Sequence, residues 1–189
     1  MKIGLISDTH GSVRAFTKVL DGPFRDVDMI LHAGDVLYHG PRNPLADGCS
    51  TKGLAERING LSIPIMIARG NCDADVDQLI LDAPLISPYV LLQIDGRKIL
   101  VLHGEHKRDA DFERLIREFG LTVLVHGHSH TPRIRKVDGA LIVNPGTPAV
   151  PNPSSPYRKT VGVFDTVDGI VRICDIDTGR VVLEAGLTA

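Results

Sequence analysis

Acidic and imidazole side chains follow several short apolar runs of this sequence, and their types suit metal-assisted hydrolysis. Asp8 and His10 come after KIGLIS, and Asp35 follows VDMIL in the segment HAGD. Because Asp8 and His10 are two residues apart at the end of an extended segment, they can present an oxygen and a nitrogen to one ion. The two oxygens of Asp35 could bridge two cations about 3.5–4 Å apart, which is the spacing of two-metal hydrolytic sites.

Further donors of the same kind come after later apolar runs. Asn71 lies in RGNCD after IPIMIA, and His103 follows ILVL. His128 and His130 lie in HGHSH after LTVLV. Any one of these fragments is more often incidental, but together the oxygen and nitrogen donors suffice for two ions with positions left for water. We therefore predict the metal ligands Asp8, His10, Asp35, Asn71, His103, His128 and His130.

The elements that must position these side chains are those of a mixed α/β fold with two sheets. The first half alternates apolar runs with helix-like segments, a βαβαβ rhythm typical of a sheet with helical crossovers. In the second half, Asp-Gly pairs at 95–96, 138–139 and 168–169 predict hairpins and antiparallel strands. Ligands of α/β proteins gather beyond the carboxyl ends of strands, so donors distant in sequence can converge there.

The amino-acid composition limits the classes of protein to which this chain can belong. The 189 residues are 43% hydrophobic and predict a single domain over 1–189. A net charge of −2 without a long basic cluster argues against a nucleic-acid partner. The sequence shows neither a leader pattern nor a long apolar stretch, which predicts a soluble cytoplasmic protein without a membrane partner. Homo-oligomerisation stays open.

The proline- and glycine-rich segments 38–50 and 144–157 predict surface loops, and the second of them a functional or interfacial one. The three cysteines have no C-x-x-C spacing, which argues against structural disulfides and a zinc knuckle.

The order and spacing of the motifs resemble the signature of the calcineurin-like metallophosphoesterase superfamily, here as Asp8-Thr9-His10, Gly34-Asp35, Gly70-Asn71, His103 and Gly127-His128-Ser129-His130. Together with the chain length, the segments SDTHG, HGPRN, RGNCD and NPGT are similar to the small bacterial and archaeal phosphodiesterases of that superfamily. The resemblance implies two mixed sheets packed as a sandwich flanked by helices. It also implies two divalent ions, usually manganese, with iron, nickel or zinc as alternatives.

The resemblance further implies how the two ions share their ligands. The first ion would be held by Asp8, His10, Asp35 and His130. The second would be held by Asp35, Asn71, His103 and His128. A hydroxide bridging the two ions would then attack the phosphorus.

Cys72 departs from the family pattern, since many members carry a histidine after the asparagine that is thought to contact the phosphate or protonate the leaving group. A two-metal site generates its own nucleophile from water, so Cys72 is not needed as one. The oxygen and imidazole donors also argue against sulfur as a ligand. We place Cys72 with Asp35, Asn71 and His103 as candidate catalytic residues, and expect substrates with good leaving groups.

Charge favours small phosphodiesters as substrates. Two divalent ions, two carboxylates and a hydroxide leave about one positive charge, which a diester monoanion neutralises. Arg69 or Arg42 could balance the second charge of a monoester, and His39 could also face substrate. Two alternatives remain: a non-catalytic scaffold, because the superfamily includes a subunit of an endosomal sorting coat that has lost part of the site, and a nuclease, which the acidic balance disfavours.

Overall fold

The computed structural model describes residues 1–41 and 43–188 of the chain. The strands are β1 (Lys2–Ile6), β2 (Met29–His32), β3 (Ile65–Ala68), β4 (Leu85–Ile86), β5 (Val90–Ile94), β6 (Arg97–Val101), β7 (Val123–Val125), β8 (Arg133–Val137), β9 (Ala140–Asn144), β10 (Thr160–Asp165), β11 (Ile170–Asp175) and β12 (Val181–Gly186). The helices are α1 (Val13–Asp21), α2 (Thr51–Asn59), α3 (Asp109–Phe119) and a short 3₁₀ helix (Asp75–Leu79).

The strands form two mixed sheets. The first has the order β12-β11-β10-β1-β2-β3-β4 and the second the order β5-β6-β7-β9-β8. Strands β1 to β4 pair in parallel in the first sheet, and β6, β7 and β9 pair in parallel in the second. The other neighbouring strands are antiparallel. Each sheet therefore brings the carboxyl ends of consecutive parallel strands to one edge.

The main core lies between the two sheets. Ile3 and Leu5 of β1 pack in one buried cluster with Val123 and Val125 of β7. Because side chains alternate along a strand, Ile6 points to the opposite face, into the cluster formed with α1 and α2. Helix α3 packs on the outer face of the second sheet. The predicted sandwich of two mixed sheets flanked by helices is confirmed.

Helix ends follow the capping residues of the sequence. Ser12 Oγ accepts the N–H of Ala15 at 3.2 Å and begins α1. Helix α3 ends at Gly120, which adopts a left-handed backbone with φ of 59°. Helix α2 begins ahead of the apolar segment LAERIN, because Ser50 Oγ accepts the N–H of Gly53 at 3.1 Å and caps it.

The predicted hairpins form, although not all by the same turn. Asp95 and Gly96 have φ of 50° and 74° and join β5 to β6. Asp138 and Gly139 have φ of 51° and 84° and join β8 to β9. Positive φ at both positions is the type I′ geometry that Asp-Gly favours. The hairpin between β10 and β11 instead uses the longer loop 166–169.

The second half of the chain differs from the prediction of antiparallel strands alone. Strand β7 runs parallel to both of its neighbours, since α3 connects β6 to β7 as a crossover. Strands β10 to β12 extend the first sheet, because β10 pairs with β1. None of the helices in the described ranges has the length and hydrophobicity needed to cross a membrane.

Candidate metal centre

The predicted ligands converge where the parallel strand ends of the two sheets meet. Each ligand lies in the loop after a strand: Asp8 and His10 after β1, Asp35 after β2, Asn71 after β3, His103 after β6, and His128 and His130 after β7. This placement agrees with the rule that sites form beyond the carboxyl ends of strands.

One group of donors joins both sheets. Asp8 Oδ1 lies 3.3 Å from Nε2 of His130 and 3.8 Å from Nε2 of His10. The two Nε2 atoms are 3.1 Å apart. One ligand atom from each of the three residues lies within 4.8 Å of the others, so this group could hold one ion.

A second group surrounds His103. Its Nε2 lies 3.3 Å from Asp35 Oδ2, 3.0 Å from Asn71 Oδ1 and 3.3 Å from Nδ1 of His128. Asp8, Asp35 and His103 also form a group whose ligand atoms lie within 4.8 Å of one another. These donors could hold a second ion next to the first.

Asp35 lies between the two groups. Its Oδ2 is 3.9 Å from Nε2 of His10 and 3.3 Å from Nε2 of His103. Its Oδ1 instead accepts the backbone N–H of Cys72 at 2.8 Å. The geometry therefore favours a shared contact through Oδ2 rather than one oxygen for each ion, and the bridging role itself stays a prediction.

Backbone carbonyl groups set the orientation of three imidazoles. Each donates its Nδ1–H to a carbonyl oxygen: His10 to Tyr38 at 2.8 Å, His103 to Ala33 at 2.7 Å and His130 to Val150 at 2.5 Å. A carbonyl oxygen only accepts, so Nδ1 carries a proton, and Nε2 directs a lone pair into the centre whenever the ring is neutral. Metal-ligating histidines are typically oriented in this way.

One oxygen of the buried Asp8 carboxylate, Oδ1, lacks a hydrogen-bond donor in the described ranges, whereas Oδ2 accepts the backbone N–H of His128 at 3.0 Å. Asp8 is fully buried, and no group in the described ranges donates a hydrogen bond to its Oδ1. Nε2 of His130 could pair with it only by taking up a second proton. An unpaired buried charge costs free energy, so a cation next to Oδ1 would stabilise the Asp8 carboxylate. The residues therefore fit divalent metal ions, and their oxygen and imidazole donors suit manganese, iron or zinc.

The pKa values also show that the centre favours positive charge. Burial opposes charge on Asp8, but a hydrogen bond that His130 donates once Nε2 is protonated, together with the charge of protonated His103, holds the pKa of Asp8 below its ordinary range. Burial also opposes the imidazolium of His103, yet its hydrogen bond to Asp35 raises the pKa of His103 to about 9. The bond to Asp8 raises the pKa of His130 in the same way despite burial. Protons and metal ions therefore compete for the same Nε2 atoms.

Unusual backbone conformations concentrate at the predicted ligands. Positive φ angles occur at Asp8 (56°), His10 (45°), Asp35 (59°), His128 (68°) and His130 (54°). Among described non-glycine residues, the other positive φ angles belong to the aspartates of the two Asp-Gly turns. Such left-handed conformations cost free energy outside glycine and persist where the surrounding structure enforces them.

Two motif glycines allow the loops to approach closely. A Cβ atom on Gly70 would lie 2.3 Å from Asp35 Oδ1. A Cβ atom on Gly127 would lie 1.8 Å from Ser7 Oγ and 2.7 Å from Asp8 Oδ2. Only glycine fits these contacts, which bring the loops after β2 and β3 together and press the loop after β7 against the loop after β1.

Asp73 is a structural residue of the centre that the sequence analysis missed. Its Oδ2 accepts the backbone N–H groups of Asp35 at 2.9 Å and Gly70 at 2.8 Å. Its Oδ1 accepts the N–H of Val36 at 2.7 Å. Asp73 thus ties the loop that carries Asp35 to the loop that carries Asn71. The available signal was an acidic residue directly after the glycine-asparagine motif.

Two further histidines near the centre, His32 and His126, have structural contacts. Nε2 of His32 lies 2.7 Å from Thr9 Oγ1, and its Nδ1 accepts the N–H of Gly34 at 3.1 Å. The ring of His126 stacks on Phe112 with the ring centroids 4.3 Å apart. Burial lowers the pKa of each histidine to about 4, so both rings are neutral at pH 7.

Cys72 lies closer to the predicted ligands than the sequence analysis expected. Its Sγ forms a further group with His10 and Asp35 in which the ligand atoms lie within 4.8 Å of one another. Burial and the nearby charge of Asp35 raise the pKa of the thiol to about 12, which favours the protonated form. Its assignment as a catalytic residue that does not bind metal stays a prediction.

A cavity of about 560 Å³ opens on the centre, and the predicted substrate-binding residues are not among its described lining. The guanidinium of Arg69 pairs with Asp75 at 2.8 Å. The ring of His39 packs against Tyr38 with a centroid distance of 4.6 Å. Arg42 lies outside the described residues. The substrate-binding roles of these three residues therefore stay predictions.

Comparison with known proteins identifies relatives across most of the chain. The phosphodiesterase YfcE of Escherichia coli is 32% identical over 166 residues, covering 87% of this chain and 88% of YfcE. The structure of E. coli YfcE matches the whole of both chains with a TM-score of 0.85 and 27% identity. The Zn²⁺ complex of Vps29 from Entamoeba histolytica matches 98% of both chains with a TM-score of 0.67, but its 16% identity supports a shared fold alone.

The sequence profile of the calcineurin-like phosphoesterase superfamily domain matches residues 1–169. The match covers the loops of all the predicted ligands, and it confirms the predicted family and the predicted class of enzyme, a hydrolase of phosphoester bonds. The chain therefore belongs to the calcineurin-like phosphoesterase superfamily.

Proposed function

We propose that this chain is a metal-dependent phosphodiesterase that hydrolyses small phosphodiesters with two divalent ions. The observation that carries the proposal is the buried Asp8 Oδ1, which has no hydrogen-bond donor in the described ranges and faces Nε2 of His10 from the first sheet and Nε2 of His130 from the second. The phosphodiesterase activity named for the relative YfcE supports the same reaction.

The two ions would share the ligands as the family resemblance implies. Asp8, His10 and His130 would hold one ion, and Asn71, His103 and His128 would hold the other, while Asp35 would serve both. Ions held there would lower the pKa of water so that it can act as the nucleophile at neutral pH, and they would neutralise charge on the phosphate. We propose manganese as the activating ion, with iron, nickel and zinc as alternatives.

The residues of the chain have separate tasks in this reaction. Tyr38, Ala33 and Val150 accept Nδ1–H groups and keep three Nε2 lone pairs directed into the centre. The half-buried Cys72 lies at the wall of the cavity, and we propose that it lies near the departing group without binding metal. A thiol is a weak proton donor, which favours esters with good leaving groups.

The test is to deplete the purified protein of metal, restore Mn²⁺, and measure metal content together with hydrolysis of bis(4-nitrophenyl) phosphate and 4-nitrophenyl phosphate. We expect two ions per chain and faster turnover of the diester. Asp8→Asn should lose both bound metal and activity. Asp138→Asn is the matched control, because Asp138 has the same left-handed backbone in a hairpin turn outside the centre.

A chain that binds no metal and hydrolyses neither ester after Mn²⁺ is restored would contradict the proposal and favour the alternative of a non-catalytic scaffold. The fold alone does not separate an enzyme from a scaffold. The complete set of predicted ligands at the strand ends favours the enzyme.

A further inference from the structure

The cavity above the metal centre has two walls with a similar composition. One wall comes from the loop 38–50 and presents Pro41, Asn43 and Pro44. The other comes from the loop 144–157 and presents Pro151, Asn152 and Pro153. Among the described residues, each wall therefore combines prolines with one asparagine. The cavity volume of about 560 Å³ is within the range of small-molecule sites.

The wall of the loop 144–157 is fixed to the segments that carry predicted ligands. Thr147 Oγ1 donates to the carbonyl oxygen of Asp8 at 2.7 Å. Asn144 Nδ2 donates to Ser129 Oγ at 3.0 Å. Asn152 Nδ2 donates to the carbonyl oxygen of Ser129 at 3.3 Å. The position of this wall is therefore set together with that of the metal centre.

The wall of the loop 38–50 is held at both of its ends. The carbonyl oxygen of Tyr38 accepts Nδ1–H of His10 at 2.8 Å, and the N–H of Ser50 donates to the carbonyl oxygen of Gly11 at 2.8 Å. Proline also fixes its own φ angle, which restricts both loops further. A site that is already formed before binding loses less conformational entropy when a ligand enters.

The asparagines leave complementary hydrogen-bonding groups. Asn43 donates through Nδ2 to the carbonyl oxygen of His39 at 2.9 Å, and no group in the described ranges donates to its Oδ1. Asn152 accepts the N–H of Ser154 at 3.0 Å, and its Nδ2 has a second N–H beyond the one bonded to Ser129. One wall thus offers an acceptor and the other wall a donor.

We propose that this cleft binds the planar heterocyclic ring of a nucleoside ester group, so that the substrate is a small nucleoside phosphodiester. The pyrrolidine rings of Pro41, Pro44, Pro151 and Pro153 offer apolar surfaces to the faces of such a ring, and the two amides match the donor and acceptor at its edge. The inference rests on the proposed phosphodiesterase function and names its substrate class.

The test compares two substrates that share one leaving group, thymidine 5′-(4-nitrophenyl phosphate) and methyl 4-nitrophenyl phosphate, with the Mn²⁺-loaded protein. Because the bond that breaks is the same, a difference reports on the other ester group. We expect kcat/KM to be at least about tenfold higher for the thymidine ester, mainly through a lower KM. Phenyl 4-nitrophenyl phosphate should give an intermediate value, since its ring lacks the hydrogen-bonding edge.

Variants of the cleft residues test whether the preference for the thymidine ester arises in the cleft. Asn43→Ala and Pro153→Ala should each lower kcat/KM more for the thymidine ester than for the methyl ester. Pro156→Ala is the matched control, because Pro156 is exposed in the same loop and does not line the cavity. Two variants in different walls are used so that a local disturbance of one loop does not decide the result.

The outcomes separate this inference from the function on which it rests. Equal kcat/KM for the thymidine and methyl esters would overturn the nucleoside assignment and leave the phosphodiesterase intact. A preference that survives both wall variants would overturn the role of the cleft. Turnover of neither ester by metal-loaded protein would contradict the proposed function, and the inference would fall with it.

Discussion

The two sheets contribute different chemistry to the centre. The loops of the first sheet supply the oxygen donors and one imidazole, whereas the loops of the second supply imidazoles alone: Asp8, His10, Asp35 and Asn71 against His103, His128 and His130. Two of the three donor groups with ligand atoms within 4.8 Å combine residues of both sheets, and the group that includes Cys72 belongs to the first sheet alone. The mixed groups exist only when the two sheets are packed together.

Hydrogen bonds join the two sheets at this edge. His103 Nδ1 donates to the carbonyl oxygen of Ala33 at 2.7 Å. The backbone N–H of His128 donates to Asp8 Oδ2 at 3.0 Å. Metal binding and the packing of the sandwich therefore depend on the same loops. Substitutions in the loops of either sheet test this dependence.

The largest effect is expected for Asp35→Asn, which removes the carboxylate between the imidazoles of the two sheets. The loss of kcat/KM should exceed the roughly 10–100-fold typical of residues around a metal site, and bound metal should fall. Asn71→Ala should cost less, since Asn71 contacts His103 alone among the predicted ligands. Steady-state kinetics and metal analysis check this, with Asp138→Asn as the control. Equal losses in the Asp35 and Asn71 variants would contradict a shared role for Asp35.

Asp73→Asn should give the next largest effect, because one amide cannot accept all the backbone N–H groups that the carboxylate accepts from Asp35, Val36 and Gly70. We expect a loss of about 1–3 kcal/mol in the free energy of unfolding and weaker metal binding. Denaturant unfolding and metal titration measure the two effects. Asp82→Asn is the control, since Asp82 is exposed and its side chain makes no ion pair in the described ranges. Unchanged metal affinity would show that Asp73 is not needed to position the first sheet's donors.

Metal removal should destabilise the packed sandwich, because the ligands come from both sheets. Mn²⁺ at about 100 times its Kd should stabilise the folded chain by about 2.7 kcal/mol relative to metal-free protein. Thermal unfolding with and without chelator measures this shift. His103→Ala should reduce the shift. A chain that binds Mn²⁺ with no change in Tm would contradict the dependence of stability on the shared centre.

The smallest effect on activity is expected for variants of Cys72, whose sulfur atom lies among the oxygen donors of the first sheet. Cys72→Ala should keep both metal ions and cost much less than the roughly 10²–10⁴-fold contribution of a positioned general acid. Cys72→His should improve turnover of monoesters or poorer leaving groups relative to the wild-type chain. Kinetics and metal content are measured on both variants. Loss of an ion from Cys72→Ala would make Cys72 a ligand.

The sequence was sufficient to predict the residues whose role depends on their position relative to a neighbouring strand or turn. Donors after apolar runs were placed at strand ends, and the Asp-Gly pairs at 95–96 and 138–139 marked hairpins. Contacts between distant segments were not predictable in this way. Asp73 accepts the N–H of Asp35 from a separate loop, and the pairing of β10 with β1 depends on the packing of the whole sandwich. Arg69 was expected at the substrate, but its ion pair with Asp75 could not be predicted from local sequence.

The left-handed backbone at Asp8, His10, Asp35, His128 and His130 has a consequence for how such a chain changes over evolutionary time. Each of these conformations costs about 1–3 kcal/mol in a non-glycine residue, so glycine or asparagine would be the less strained choice there. A lineage that no longer needs catalysis would gain stability by replacing these ligands. Selection for activity therefore keeps these ligands in place although their backbone conformations lower the stability of the folded chain.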